Sequence, residues 1–251
     1  MVYNVAYGTG SPGASIGRVF TGHRYLRTSR RHIDRVIDFI EAVNPDVLGL
    51  LEVDIGSGRT GNLNQVELVA NRLRHHFRCS VKYGERSIGR GVPILRHQAN
   101  AILTREKAFS GDFHYFKVGF KRLIIEVEVR GTRFFLVHLA LSRRIRRRQL
   151  AALAEIADGR GPVVIAGDFN AFSGPEELDE LRSALGLVSA NGKSLPTFPS
   201  WKPKRELDFI LHSKEVALER FMVPDVHLSD HLPLILDFHT ETRQMEAKRE
   251  L

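Results

Sequence analysis

The run VLGLLEV, Val47 to Val53, decides how this chain must fold. Apart from Gly49 and Glu52 it is valine and leucine throughout, so it shows no alternation of wet and dry positions. A strand of that kind is buried on both faces, and other layers must cover each of them. Glu52 then stands out as a carboxylate near the end of an otherwise apolar strand.

Working outward, the pattern before this run is helical from Thr28 to Val43. Ile33, Val36, Ile37 and Ile40 fall at i, i+3, i+4 and i+7 on one face, and Asn44-Pro45 ends the helix. A second helix is predicted from Asn64, with Val66, Val69, Ala70 and Leu73 inward. VYNVAY at the start of the chain reads as a strand followed by a Gly/Ser-rich loop. Further along, AILTR, HYFKV, LIIEVEV and FFLVHLA follow one another with short breaks such as Arg130-Gly131-Thr132, which predicts consecutive antiparallel strands. A helix over Arg143 to Ala157 leads into the strand PVVIAGDF, with Leu150, Leu153, Ala154 and Ala157 inward. A short helix is predicted after Pro175, then the strands LDFIL, ALERFMV and LPLILDF. Strands and helices that interchange in this way predict an α/β protein. Residues 1–240 are read as one domain and 241–251 as a polar tail.

The 251 residues are 43% hydrophobic, enough for one sizeable core. No apolar stretch approaches a membrane span, and the start MVYNVAYGTG lacks the pattern of a secretory signal, so a soluble, cytoplasmic, monomeric protein is expected. Cys79 is the single cysteine. It excludes an internal disulfide framework or a multi-cysteine zinc site, and it reads as a small buried residue in a strand. Lys and Arg number 37 against 29 Asp and Glu, a net charge of +8 that favours anionic partners.

Polar residues recur where apolar strands end. Asn4 lies in VYNV, Glu52 ends VLGLLEV, His138 lies in FFLVHLAL, Asp168 and Asn170 follow VVIAG, Asp208 opens DFIL, and Asp230-His231 precede LPLIL. Each alone has an ordinary structural reading: a satisfied core histidine, a turn-capping aspartate, an asparagine bonded to nearby backbone. Together they point to convergence on one site, because buried carboxylates and imidazoles are costly unless paired or bound to metal. Carboxylate, carboxamide and imidazole without thiolate suit a hard cation such as Mg²⁺ or Mn²⁺ and the transfer of a phosphoryl group to water.

The ordered set YNV, LLEVD, NAILTR, VHLAL, AGDFNAF, RELDFIL and SDHLPL resembles the endonuclease/exonuclease/phosphatase family, to which deoxyribonuclease I and neutral sphingomyelinases belong. The resemblance implies a four-layer α/β sandwich of two mixed, mostly antiparallel sheets flanked by helices. It implies a catalytic set of His138, Asp168, Asn170, Asp208 and His231. Asn4, Glu52 and Asp230 are implied at the metal, with Glu52 as principal ligand. Either Asp168 or His231 would be the base. Ala6 stands where some repair nucleases of the family carry a second acidic residue, and Leu51 where a Gln often precedes the Glu.

Basic loops bear on the substrate. Arg18 to Arg35 contains six arginines, and Arg86, Arg90 and Arg96 precede Asn100. The five arginines of RRIRRRQL read as the exposed side of a helix. Substrate contacts are expected from Arg27, Arg90, Asn100 and Trp201. A nuclease acting on DNA or RNA is the first expectation. The alternative is a hydrolase of phospholipid or small phosphate esters, held at an anionic head group or membrane surface. A non-catalytic anion-binding module is the third reading, and the intact polar set argues against it.

Overall fold

A computed structural model describes residues 1–10, 28–81, 95–106, 110–158 and 160–240. Val47–Asp54 forms strand β2, and its two faces enter two different cores. Leu48 and Leu50 pack against helices α1 (Arg30–Val43) and α2 (Gln65–Leu73), whereas Leu51 points the opposite way. Around β2 a four-stranded sheet runs in the order β1-β2-β4-β3, with β1 Val2–Asn4, β3 His76–Val81 and β4 Gln98–Thr104. β1 is parallel to β2, and the other pairings are antiparallel.

The second sheet has the order β5-β6-β7-β8-β10-β9. Its strands are β5 Phe113–Tyr115, β6 Leu123–Val129, β7 Thr132–His138, β8 Val163–Asp168, β9 Val188–Ser189 and β10 Asp208–His212. Alternation sorts its residues as well. Phe135, Val137, Val163, Ile165, Phe209 and Leu211 meet α3 (Arg143–Ala157) and α4 (Asp179–Leu185), while Leu136, Val164 and Ile210 face the first sheet. Three cores thus separate four layers, two helical and two of sheet. No described helix is long and apolar enough to cross a membrane.

The sheets approach closely at Gly49, where a Cβ would lie 2.7 Å from Leu136 Cδ1. A hairpin of β11 (Val216–Met222) and β12 (Ile235–Thr240) hangs on the edge of the first sheet, because Val2 and Leu234 exchange backbone hydrogen bonds at 2.9 Å in both directions. A cavity of about 880 Å³ opens between Met1, Val47, Val129, Phe134 and Ile235, and none of the polar strand-end residues lines it.

The structure corrects three expectations. AILTR does not continue into the following hairpins: its strand, β4, belongs to the first sheet, and only β5, β6 and β7 form a consecutive antiparallel run. The last strand begins at Ile235, not at Leu232, because Leu232 N–H is taken by Thr197 O outside the sheet. Arg146 is not on the exposed side of α3; it is 1% exposed and paired with Glu177.

Candidate active site

Three neighbouring strands of the second sheet carry the reactive groups in one row. His138 is the register partner of Asp168 between β7 and β8, and Asp168 is that of Asp208 between β8 and β10. The row ends where β8 cannot bear a side chain: at Gly167, φ is +148° and a Cβ would sit 1.9 Å from Val137 O. The glycine of GDFN is therefore required by the close parallel approach of β7, and Asp168 follows it at the strand end.

His138 Nε2 lies 3.1 Å from Asp168 Oδ2, and the same oxygen accepts from Asn4 Nδ2 at 3.2 Å. Asp168 Oδ1 accepts the backbone N–H of Asn170 at 3.0 Å, and Asn170 Nδ2 donates to Leu139 O at 2.9 Å. On the far side, His231 Nδ1 is 2.8 Å from Asp208 Oδ2, while its Nε2 is 3.9 Å from Asp168 Oδ2. Asp208 Oδ2 also accepts the Thr197 hydroxyl at 2.7 Å, and the Phe198 ring lies 4.8 Å from the imidazole. The loop bearing Asp230 is clamped by Ser200, whose N–H donates to Asp230 O at 2.8 Å and whose hydroxyl donates to Ser229 O at 2.5 Å.

The first sheet presents Glu52 through a defect in its own ladder. The β2/β4 register shifts between Leu50 and Val53, and Glu52 within that bulge has φ +56°. A bulge re-aims one side chain out of the alternating pattern, and a non-glycine residue in the left-handed region costs energy that the surroundings must supply. Here Asn100 Oδ1 accepts the Glu52 N–H at 3.3 Å. Glu52 Oε1 is 3.9 Å from His138 Nδ1, so the two sheets meet across the site. Asn4 is held by a turn with left-handed Ala6 and Tyr7, whose ring lies 4.4 Å beneath the guanidinium of Arg59. Arg59 is itself paired with Asp54 at 2.6 Å, with both side chains fully buried.

Lys121 has no counterpart in the sequence-based expectation. Its ammonium contacts His138 Nε2 and stands 3.9 Å from Glu52 Oε1. In the sequence it is one of two basic residues opening an apolar strand, which is unremarkable there. Thr197 is similarly silent in SLPTFPS. Trp201 is half-buried beside Ser200, and Asn100 lies against Glu52; Arg27 and Arg90 fall outside the described residues.

Electrostatics divide the groups. Burial pushes the Asp168 carboxyl up, but His138 and His231 outweigh it and hold this group well below the usual carboxylate range. Burial pulls the His231 imidazole down, yet Asp208 and Asp168 overcome that and push it up to about 10. Asp230 is raised by burial and by the carboxylates of Glu52 and Asp168, with His231 opposing. Glu52, Asp168 and Asp230 therefore form a crowded anionic group of hard oxygen donors, which a divalent cation would relieve. Ligand atoms of Asp168, Asp208 and His231 also lie within 4.8 Å of one another, a buried group able to hold a metal. The 2.8 Å bond between His231 Nδ1 and Asp208 commits that imidazole nitrogen already, so the donor chemistry fits better on the Glu52 side.

A model of the endonuclease/exonuclease/phosphatase family matches residues 1–231. The chain belongs to that family. Among curated proteins, the UPF0294 protein of Yersinia enterocolitica is 29% identical over 147 residues, 58% of this chain and 50% of the relative, so the match spans half the relative's length. Among solved structures, an endonuclease/exonuclease/phosphatase from Beutenbergia cavernae shares the fold with a TM-score of 0.68 at 20% identity, over 95% of this chain and 70% of that one. The human Nocturnin catalytic domain, solved with a bound sulfate anion, does so with a TM-score of 0.63 at 23% identity, over 84% of this chain and 87% of that one. Family membership makes the site that of a phosphoester hydrolase. Within the row, Asp168 belongs to GDFN, while His138 lies in VHLAL and Asp208 in RELDFIL; His231, bonded to Asp208, belongs to SDH.

Proposed function

We propose that this endonuclease/exonuclease/phosphatase chain is a divalent-metal-dependent phosphodiesterase in which water attacks phosphorus. The observation that carries the proposal is the split in charge across the row: an ionised Asp168 stands between two imidazoles, of which His138 faces Glu52 on the other sheet. Glu52, with Asn4 and Asp230, would hold Mg²⁺ or Mn²⁺, which when bound offsets charge on the phosphate oxygens and leaving group.

Each side chain then has a stated task. Asp168 accepts a hydrogen bond from the attacking water and takes its proton as the new P–O bond forms and the P–O bond to the leaving group breaks. His231, which Asp208 and Asp168 push up to about 10 against the effect of burial, carries a proton at neutral pH and is assigned the donor's role. It donates through Nε2 to a phosphate oxygen, with Asp208 fixing its tautomer. Lys121, in contact with His138, adds positive charge on the opposite side. Asn170, anchored on Leu139 O, directs its second amide hydrogen toward the phosphate.

Charge alone does not choose the substrate. The +8 surplus favours a polynucleotide, the first expectation, and equally favours an anionic bilayer. The bond cleaved can be tested without knowing the natural substrate. Hydrolysis of a chromogenic phosphodiester in ¹⁸O-labelled water with Mn²⁺ should place the label in the phosphate product. Label in the alcohol product, or turnover indifferent to chelator, would exclude this mechanism.

A further inference from the structure

Three exposed apolar side chains are placed by the chain next to residues of the site. Phe120 precedes Lys121, Leu141 lies three residues after His138, and Phe172 two after Asn170; they are 73%, 64% and 38% exposed. Scattered exposed apolar residues are ordinary on any protein, but the loops carrying these three are tied to one another and are taken together as a rim.

The buried guanidinium of Arg146 joins their loops. It donates to Ala140 O at 2.9 Å and Leu141 O at 3.0 Å, and pairs with Glu177 at 2.6 Å. Glu177 Oε1 in turn accepts the N–H of Ser173, next to Phe172, at 2.9 Å. Gly119, next to Phe120, packs on the same helix start: a Cβ there would lie 3.0 Å from Ile145 Cγ2 and 3.8 Å from Ala140 Cβ.

Directly behind this rim α3 begins with Arg143, Arg144, Arg147 and Arg148, all exposed, and no acidic residue in the first turn. Cations there oppose the helix dipole, so the placement is unfavourable to the helix by itself and favourable to an anion beside it. Arg205 adds a further cation, 5.5 Å above the Phe172 ring and bonded to Phe172 O at 2.8 Å.

We propose that this rim is a membrane-docking surface for an anionic phospholipid bilayer. Phe120, Leu141 and Phe172 enter the acyl boundary, and the four arginines meet lipid phosphates. The proposal rests on the phosphodiesterase reading only in placing this surface beside the residues of that site. Apolar residues beside basic ones at the mouth of a site match the two halves of a lipid interface. A polynucleotide would use the aromatic faces for stacking but would leave Leu141 in water.

Co-sedimentation with vesicles of phosphatidylcholine, alone or mixed with phosphatidylglycerol, tests this directly. The chain should bind the anionic vesicles, and exchanging Phe120, Leu141 and Phe172 together for Ser should weaken binding at least about tenfold. Exchanging Arg143, Arg144, Arg147 and Arg148 for Gln should weaken it about fivefold per arginine and remove its salt dependence. Turnover of a soluble chromogenic phosphodiester should be unchanged in the serine variant, which also reports that it folds. Absence of vesicle binding, equal binding by the serine variant, or loss of DNA binding in place of vesicle binding would each overturn the docking surface. Vesicle binding by a chain that hydrolyses no phosphodiester would instead overturn the phosphodiesterase reading and leave the surface intact.

Discussion

His138 and Asp168 face one another across the parallel strands β7 and β8, with Nε2 3.1 Å from Oδ2. This pairing fixes the carboxylate in the middle of a row whose other end is the Asp208–His231 pair. A backbone register, set by apolar residues on both faces of the strands, thus determines which charges meet.

The imidazole of His231 should govern the alkaline limit. Its pKa is raised from 6.5 to about 10 in the folded chain. A group raised on folding contributes stability that is fully present below its unfolded value and is lost as pH rises through its folded value. Thermal stability should therefore decline between about pH 6.5 and pH 10, and that decline should be absent in His231→Gln. Activity should fall through the upper end of the same window as the donor loses its proton. A profile identical in the two proteins would contradict the assignment.

Glu52 should show a trade between stability and function. Its φ of +56° favours glycine, so Glu52→Gly should raise unfolding free energy by about 1 kcal/mol in urea titrations. The same variant should lose Mn²⁺ binding and turnover. A destabilised Glu52→Gly would mean that the bulge is not strained.

Lys121 should act on two readouts in opposite directions. Its ammonium, 3.9 Å from Glu52 Oε1, repels a cation at that carboxylate and attracts a phosphate. In Lys121→Met, Mn²⁺ affinity followed by electron paramagnetic resonance should rise about tenfold, while kcat/KM falls about 10²-fold. Lys121→Arg should recover part of the activity. Parallel loss of both quantities would point to a purely structural role.

Arg146 should matter for stability more than any other arginine of its helix. Removing it in Arg146→Met leaves Glu177 buried and unpaired, with the rim loops untied. Chemical denaturation should report a loss of about 3–5 kcal/mol. The exposed Arg147→Met should stay within about 0.5 kcal/mol of the parent.

Much of this was legible in the sequence, for a physical reason. VLGLLEV announced two-sided burial, the isoleucines of α1 announced its inner face, and polar residues at strand ends announced a site, because each signal is local and carried by burial. Partners across the fold were not local. Periodicity placed AILTR in a strand but could not say which sheet it joins, since that depends on pairing with Val47–Asp54 and His76–Val81. Arg146 read as one more exposed charge in an arginine run, because the carboxylate that buries it is Glu177, 31 residues away. The bulge at Glu52 left no glycine to mark it, and Lys121 lay in a pattern typical of any strand start.

The most direct measurement is single-turnover hydrolysis of a chromogenic phosphodiester with Mn²⁺ by the parent chain and by Asp168→Asn, which keeps the shape of the side chain and removes its charge. The parent should turn over in a chelator-sensitive manner, and Asp168→Asn should be slower by about 10²–10⁴-fold with its fold intact. Equal rates in the two proteins would contradict the placing of Asp168 at the centre of the chemistry.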